Sequence, residues 1–174
     1  MRESAQYKGT LLETHPRLVG LWESNSQSGK INSALYGAYN FNNILAACTI
    51  ASYFGVEAPE IDDAINTYES DMNRSQLVKK IGADIYLDAY NANPSSMSLS
   101  LDNFEKVRAD KKIALLGDMF ELGDVAAVEH KKIIDQAKEC NSIQLFVFVG
   151  NHFYEHCYMN DNVAFFKTTA EAKT

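Results

Sequence analysis

Three short stretches carry side chains whose types and spacing suit ligand chemistry. In the first, Gly37 to Ala47 (GAYNFNNILAA), Asn40 and Asn43 stand three apart at a predicted helix start. Their amides then share a face beside unpaired backbone N–H groups. A carboxamide both accepts and donates, which matches the N6/N7 edge of adenine. Asn is equally a common N-cap, and spacing alone favours that simpler role for Asn40. The second stretch, Asp88-Ala89-Tyr90-Asn91-Ala92-Asn93-Pro94, follows a predicted strand and precedes a predicted helix. In an open α/β sheet the carboxyl ends of strands line the ligand crevice, so Asp88 could bind two ribose hydroxyls. The following helix start favours anionic groups. An Asx-rich turn selected for backbone geometry accounts for the same letters. The third stretch, Leu115 to Gly123 (LLGDMFELG), again follows a strand and puts Asp118 and Glu121 where they could hold a substrate ammonium group. Gly117 and Gly123 there also permit tight turns. Arg74, in Asn73-Arg74-Ser75-Gln76, has a guanidinium that could stack on a base or reach phosphate oxygens, or simply be a solvated surface charge.

Two other patterns are set aside. His152-Phe153-Tyr154-Glu155-His156 matches the H-x-x-E-H zinc pattern, but that pattern needs a long helix and a distant further ligand, and neither is evident. Gly29-Lys30 lacks the frame of a P-loop, and no Gly-rich phosphate cradle exists elsewhere.

The elements that must position these residues follow from periodicity. Leu18–Glu23 and Ile31–Tyr36 are predicted as short strands, with Ser24–Lys30 as a polar loop between them. Residues Asn40–Phe54 form a helix that is apolar nearly all round, stopped by Gly55. Pro59 opens a second helix, whose apolar face is Ile61, Ala64, Ile65 and Tyr68. Gln76–Ile81 and Ala83–Leu87 read as a hairpin around Gly82. A helix then starts at Asn93-Pro94, and Ile113–Leu116, Leu145–Val149 and Val163–Phe166 are short apolar strands. Asp124 is the expected cap of a helix running to Glu139, and a last helix begins near Thr168. Strands without alternation, separated by helices, predict a doubly wound α/β domain with its parallel sheet covered on both faces. A mostly helical segment precedes it. The first seventy residues are too little for a self-sufficient core, so the chain reads as a piece of a longer protein.

Composition narrows the function classes. Sixteen Lys and Arg against 23 Asp and Glu give a net charge of −7, which argues against bulk nucleic-acid or anionic-membrane binding. No apolar run is long enough for a membrane span, and Met1 to Glu13 is polar, unlike a signal peptide. Cys48, Cys140 and Cys157 are scattered, with no CxxC, as suits a reducing, cytoplasmic compartment.

Taken in order, GAYNFNNILAA, NRSQ, DAYNANPSSM and LLGDMFELG with the later Glu129-His130 resemble motifs of the Mur ligase family. These are the ATP-dependent amide-bond ligases of peptidoglycan synthesis. The last two stretches are similar to the branch that adds D-alanyl-D-alanine to a UDP-N-acetylmuramoyl-tripeptide. The resemblance covers residues 37 to about 130. It implies that residues 1–72 are the tail of a central ATPase domain, and that residues 73–174 are a Rossmann-like C-terminal domain without its last strand. It implies ATP-side contacts for Asn40, Asn43, Arg74, Asp88 and Asn91, and places Asp118, Met119, Glu121 and His130 on the second-substrate side. Tyr39 stands where many relatives have His. The family's P-loop, its magnesium ligands and its modified lysine are not in this sequence, so no catalytic or metal residue carries over. ATP and Mg2+ are implied for a whole enzyme, and the chain alone is expected to be inactive. Its apolar helix Asn40–Phe54 is expected to drive self-association or to dock elsewhere. The alternatives are a sibling ligase of the folylpolyglutamate type, against which NANP and GDMFELG argue, and a stand-alone nucleotide-binding or regulatory module.

Overall fold

A three-stranded antiparallel sheet opens the computed structural model, which describes residues 6–14, 17–70 and 74–173. Strands β1 (Tyr7–Glu13), β2 (Leu18–Ser24) and β3 (Ser28–Ser33) pair in chain order. β2 alternates cleanly, burying Leu18 and Trp22. β1 was not expected, because it has no alternation and leaves Leu11 and Leu12 exposed. The strand expected at Ile31–Tyr36 lies three residues earlier, because its register with β2 runs from Glu23↔Ser28 to Leu18↔Ser33 and ends where β2 ends. The predicted loop shrinks to a turn in which Ser24 Oγ accepts from Gln27 N at 3.1 Å.

Helix α1 (Asn40–Tyr53) lies on this sheet through Phe41, Ile44 and Cys48, which pack with Leu18, Trp22, Ile31 and Ile61. Glycine makes the approach possible. A Cβ on Gly9 would come 2.9 Å from Phe41 Cζ, and one on Gly20 would come 2.6 Å from its Cε2. Only one side of the apolar helix is covered, and Ile50, Tyr53 and Phe54 remain exposed. Gly55, at φ 82, ends it as expected. Helix α2 (Ala58–Thr67) carries Pro59 in its first turn and seals the outer edge of β3. There, Asp62 and Asn66 side chains accept from the N–H groups of Lys30 and Asn32 at 2.8 and 2.7 Å. The segment expected to be mostly helical is therefore a helix pair on a sheet. Strands β4 (Gln76–Lys80) and β5 (Ala83–Leu87) form the predicted hairpin around Gly82, at φ 81.

The chain divides into two compact units, Met1–Tyr90 and Asn91–Thr174. The boundary expected between residues 72 and 73 lies outside the described residues. In the second unit, α3 (Pro94–Glu105) starts at Asn93, whose Oδ1 accepts from Ser96 N at 2.9 Å in a capping box. Strands β6 (Ile113–Gly117), β7 (Leu145–Val149) and β8 (Val163–Phe166) form a parallel sheet in the order β6-β7-β8. Helices α4 (Ala126–Glu139) and α5 (Asn151–Tyr154) are its crossovers. Asp124 does not cap α4; a 3-10 turn over Gly123–Val125 leads in, with no side-chain cap. A second 3-10 turn, Glu171–Lys173, replaces the helix expected near Thr168.

Register explains where this core sits. Ala114, Phe146 and Val163 stand abreast, as do Leu116, Phe148 and Phe165, and all pack with residues of α3, α4 and α5. Right-handed crossovers in a sheet whose order never reverses put α4 and α5 on one face. The other face is open at β6, where Leu115 is 71% exposed, whereas its neighbour Val147 on β7 is buried. No described helix is long and apolar enough to cross a membrane.

Candidate functional site

Gly37, at φ 91, turns the chain into α1 and leaves no room for a side chain beside the Tyr39 ring. Asn40 follows as the first helical residue, buried, with Nδ2 donating to Tyr36 O at 2.6 Å. It makes no cap hydrogen bond, so the simpler role that spacing favoured for it is not the one it has. Its Oδ1 accepts from Asn43 Nδ2 at 3.1 Å. The predicted amide pair is thus brought together in a fixed order, in which Asn40 is held by the backbone and Asn43 is held by Asn40. Asn43 is the exposed member.

Asp88, just past the end of β5, is half-buried and tied on both oxygens. Its Oδ1 accepts from Ser75 N at 3.1 Å and its Oδ2 accepts from Tyr39 Oη at 2.9 Å. Tyr39 Oη also meets Ser75 Oγ at 2.7 Å. Burial pushes the Tyr39 phenol up to about 12, with the Asp88 charge adding to it. Burial likewise raises Tyr36, whose ring stands 4.4 Å from that of Tyr86 and whose N–H donates to Ser75 O. Ser75 is buried and sits at φ 49, a left-handed conformation that a non-glycine residue adopts at a cost. Beside it the Arg74 guanidinium lies 5.3 Å over the Tyr90 ring, an exposed cation and aromatic pair. Asn91 is exposed and belongs to the second unit.

The residues of the third stretch are placed differently. Asp118 is almost wholly enclosed, its Oδ2 accepting from His152 N and its Oδ1 from Phe153 N, both at 3.0 Å. Its carboxylate therefore satisfies the first turn of α5. Gly150, at φ 136, allows this, since any Cβ there would fall inside the Asp118 carboxylate. His130 is completely buried; its Nδ1 donates to Ala126 O at 2.7 Å and its Nε2 accepts from Met119 N at 3.0 Å. That bonding fixes a neutral ring, so the 3.6 Å approach of Nε2 to Asp118 is not an ion pair. Burial lowers the His130 pKa, outweighing the pull of Asp118. Met119 is fully buried, whereas Glu121 is exposed and left-handed at φ 64. Of the four, only Glu121 faces solvent.

His156 Nε2 meets Ala127 O at 2.9 Å, and no group of three His, Cys, Asp or Glu among the described residues could hold a metal ion. Tyr39, Ser75 and Gly150 were not singled out from the sequence for the roles they hold here. The signals were present but local: Ser75 adjoins Arg74, and Gly150 ends an apolar strand.

Comparison with known proteins identifies the family. Residues 73–172 match the family described as Mur ligase, glutamate ligase domain. A UDP-N-acetylmuramoyl-tripeptide–D-alanyl-D-alanine ligase from Treponema pallidum (strain Nichols) is 34% identical over 118 residues, which are 68% of this chain and 26% of that protein. The ligase of the same name from Bacillus subtilis (strain 168) is 34% identical over 100 residues, 56% of this chain and 22% of its own length. A crystal structure of MurF from Acinetobacter baumannii superposes with a TM-score of 0.78 at 25% identity, covering 95% of this chain and 36% of that one. The chain spans about a quarter of the length of these curated relatives.

Proposed function

Because the chain belongs to the Mur ligase family, we propose that it is part of an ATP-dependent amide-bond ligase that joins D-Ala-D-Ala to a UDP-N-acetylmuramoyl-tripeptide in peptidoglycan synthesis. The observation that carries this reading is the agreement between the family match and two relatives bearing that ligase's name. In this reading the chain supplies the adenosine side and the dipeptide side, and the phosphate-activating groups come from elsewhere in the enzyme. Asp88 meets the ribose hydroxyls, the exposed amide of Asn43 meets the adenine edge with Asn40 holding it, and Arg74 stacks or reaches a phosphate oxygen. Asp118, Met119 and His130 shape the turn that presents Glu121 to the incoming dipeptide.

ATP supplies the leaving phosphate when bound, and the residues present fit its adenosine part: a fixed carboxylate, an exposed amide and a guanidinium on a ring. They do not fit Mg2+, because the described residues hold no cluster of three ligands. No step is assigned to a metal held by this chain. The chain alone is expected to release no phosphate from ATP with the tripeptide substrate and D-Ala-D-Ala.

Nucleotide binding tests the reading directly. Titrating the chain with ATP should show saturable binding, and Asp88→Ala should weaken it by about 1.5–3 kcal/mol, the range for hydrogen bonds to a charged group. Unchanged ATP affinity in a folded Asp88→Ala chain would leave Asp88 as a turn-shaping residue only.

A further inference from the structure

We propose that Tyr39 and Ser75 are positioning residues that hold the Asp88 carboxylate in the plane from which it selects a ribose over a deoxygenated sugar. The proposal rests on the reading of Asp88 as the ribose contact and adds two residues to it. A carboxylate is an acceptor only, so the short contact between Tyr39 Oη and Asp88 Oδ2 must carry the phenol proton toward Asp88. With that proton committed, the 2.7 Å contact of Tyr39 with Ser75 is made by the Ser75 hydroxyl donating to the phenol oxygen. Ser75 N closes the circuit by donating to the other oxygen, Asp88 Oδ1. The chain of hydrogen bonds is therefore directional and cyclic: Ser75 Oγ to Tyr39 Oη to Asp88 Oδ2, and Ser75 N to Asp88 Oδ1.

Two features argue that this circuit serves more than packing. Ser75 takes a left-handed φ of 49, and that conformation aims both its N–H and its hydroxyl into the circuit. Backbone strain of this kind persists where the surroundings over-determine it, as they do at ligand sites. Ser75 O also accepts from Tyr36 N, so the residue joins the segment before α1, the approach to β4 and the end of β5. A carboxylate offers about four acceptor positions, and the hydrogen bonds from Tyr39 and Ser75 set the plane in which a vicinal diol would meet it. A carboxylate free to rotate would lose that two-point geometry and gain nothing for a sugar without hydroxyls.

The test compares ATP with 2′,3′-dideoxy-ATP on the full 174-residue chain, by equilibrium titration, for the parent and for Tyr39→Phe, Ser75→Ala and Asp88→Asn. The parent should prefer ATP by about tenfold or more, the scale of hydrogen bonds to a charged group. Tyr39→Phe removes one oxygen and should collapse that preference to about twofold or less, with affinity for the dideoxy nucleotide unchanged. A purely structural role would weaken both nucleotides alike and leave the ratio intact. Should Tyr39→Phe fail to fold, Ser75→Ala decides, since it keeps the backbone donor and loses only the hydroxyl. Preference retained in both variants but lost in Asp88→Asn overturns the positioning role and spares the ribose reading. A parent chain that binds neither nucleotide, or both equally, overturns the ribose reading and the positioning role with it.

Discussion

Substituting Gly150 by Ala should damage the second unit far more than one methyl group suggests, because of where the new Cβ would lie. Gly150 has φ 136 and ψ 162, and its Cβ position falls within the Asp118 carboxylate. The first consequence is strain, since this region is essentially confined to glycine and costs about 1–3 kcal/mol for another residue. The second is displacement of Asp118 from His152 N and Phe153 N, two hydrogen bonds of 3.0 Å. Each is worth about 1.5–3 kcal/mol to a charged acceptor, and Phe153 is too buried for water to replace it fully. The sum is about 4–9 kcal/mol, against a total of about 5–10 kcal/mol for a small unit. A double-mutant cycle with Asp118→Ala separates the two causes. Asp118→Ala alone loses the hydrogen bonds at a cost of about 3 kcal/mol, and in its background Gly150→Ala should cost only the remaining strain of about 2 kcal/mol. Trp22, the only tryptophan, reports on the first unit. Urea unfolding is therefore best followed by amide hydrogen exchange, which resolves the second. A Gly150→Ala cost below about 1 kcal/mol, or costs that simply add in the cycle, would refute the clash argument.

Two further outcomes are expected. His130 is held neutral by burial, so its folded pKa lies below the unfolded value. The unfolded chain then binds the extra proton first, and the second unit keeps full stability above pH about 6.5 and loses it as pH falls below that value. Denaturant midpoints measured from pH 8 to 5 should show this slope, and it should disappear in His130→Gln; a slope that persists would assign it to another group. Burial pushes the Cys48 and Cys140 thiols up to about 11, whereas Cys157 is exposed. Iodoacetamide at pH 7.5 should therefore modify one cysteine quickly, and mass spectrometry should locate it at Cys157; fast labelling of Cys48 would mean that the α1 core opens readily.

What the sequence determined by itself was the set of strongly patterned elements and their chemistry. Continuous apolar runs marked β6, β7 and β8, because a run of four or five apolar residues bounded by turn residues has the length of a strand and is too short for a helix. Pro59, Asn93-Pro94, Gly55 and Gly82 marked helix starts, a helix end and a hairpin, because each acts through its own backbone preference. The four ordered motifs carried the family. Tertiary structure alone decided the rest. β1 exists because β2 offers it an edge and Gly9 admits Phe41, and neither fact is written in the local pattern of residues 7–13. One face of β6 stays open because the strand order never reverses, and order is set by crossovers between distant segments. The candidate site shows the same division. The sequence could nominate Asp88 and Asp118 equally, since each follows a strand. The fold separated them by giving Asp118 the N–H groups of α5, 34 and 35 residues away. It gave Asp88 the hydroxyl of Tyr39, 49 residues away, and the N–H of Ser75, 13 away. Hydrogen-bond partners so far apart in sequence leave no local periodicity, and they are what set a carboxylate's direction and access.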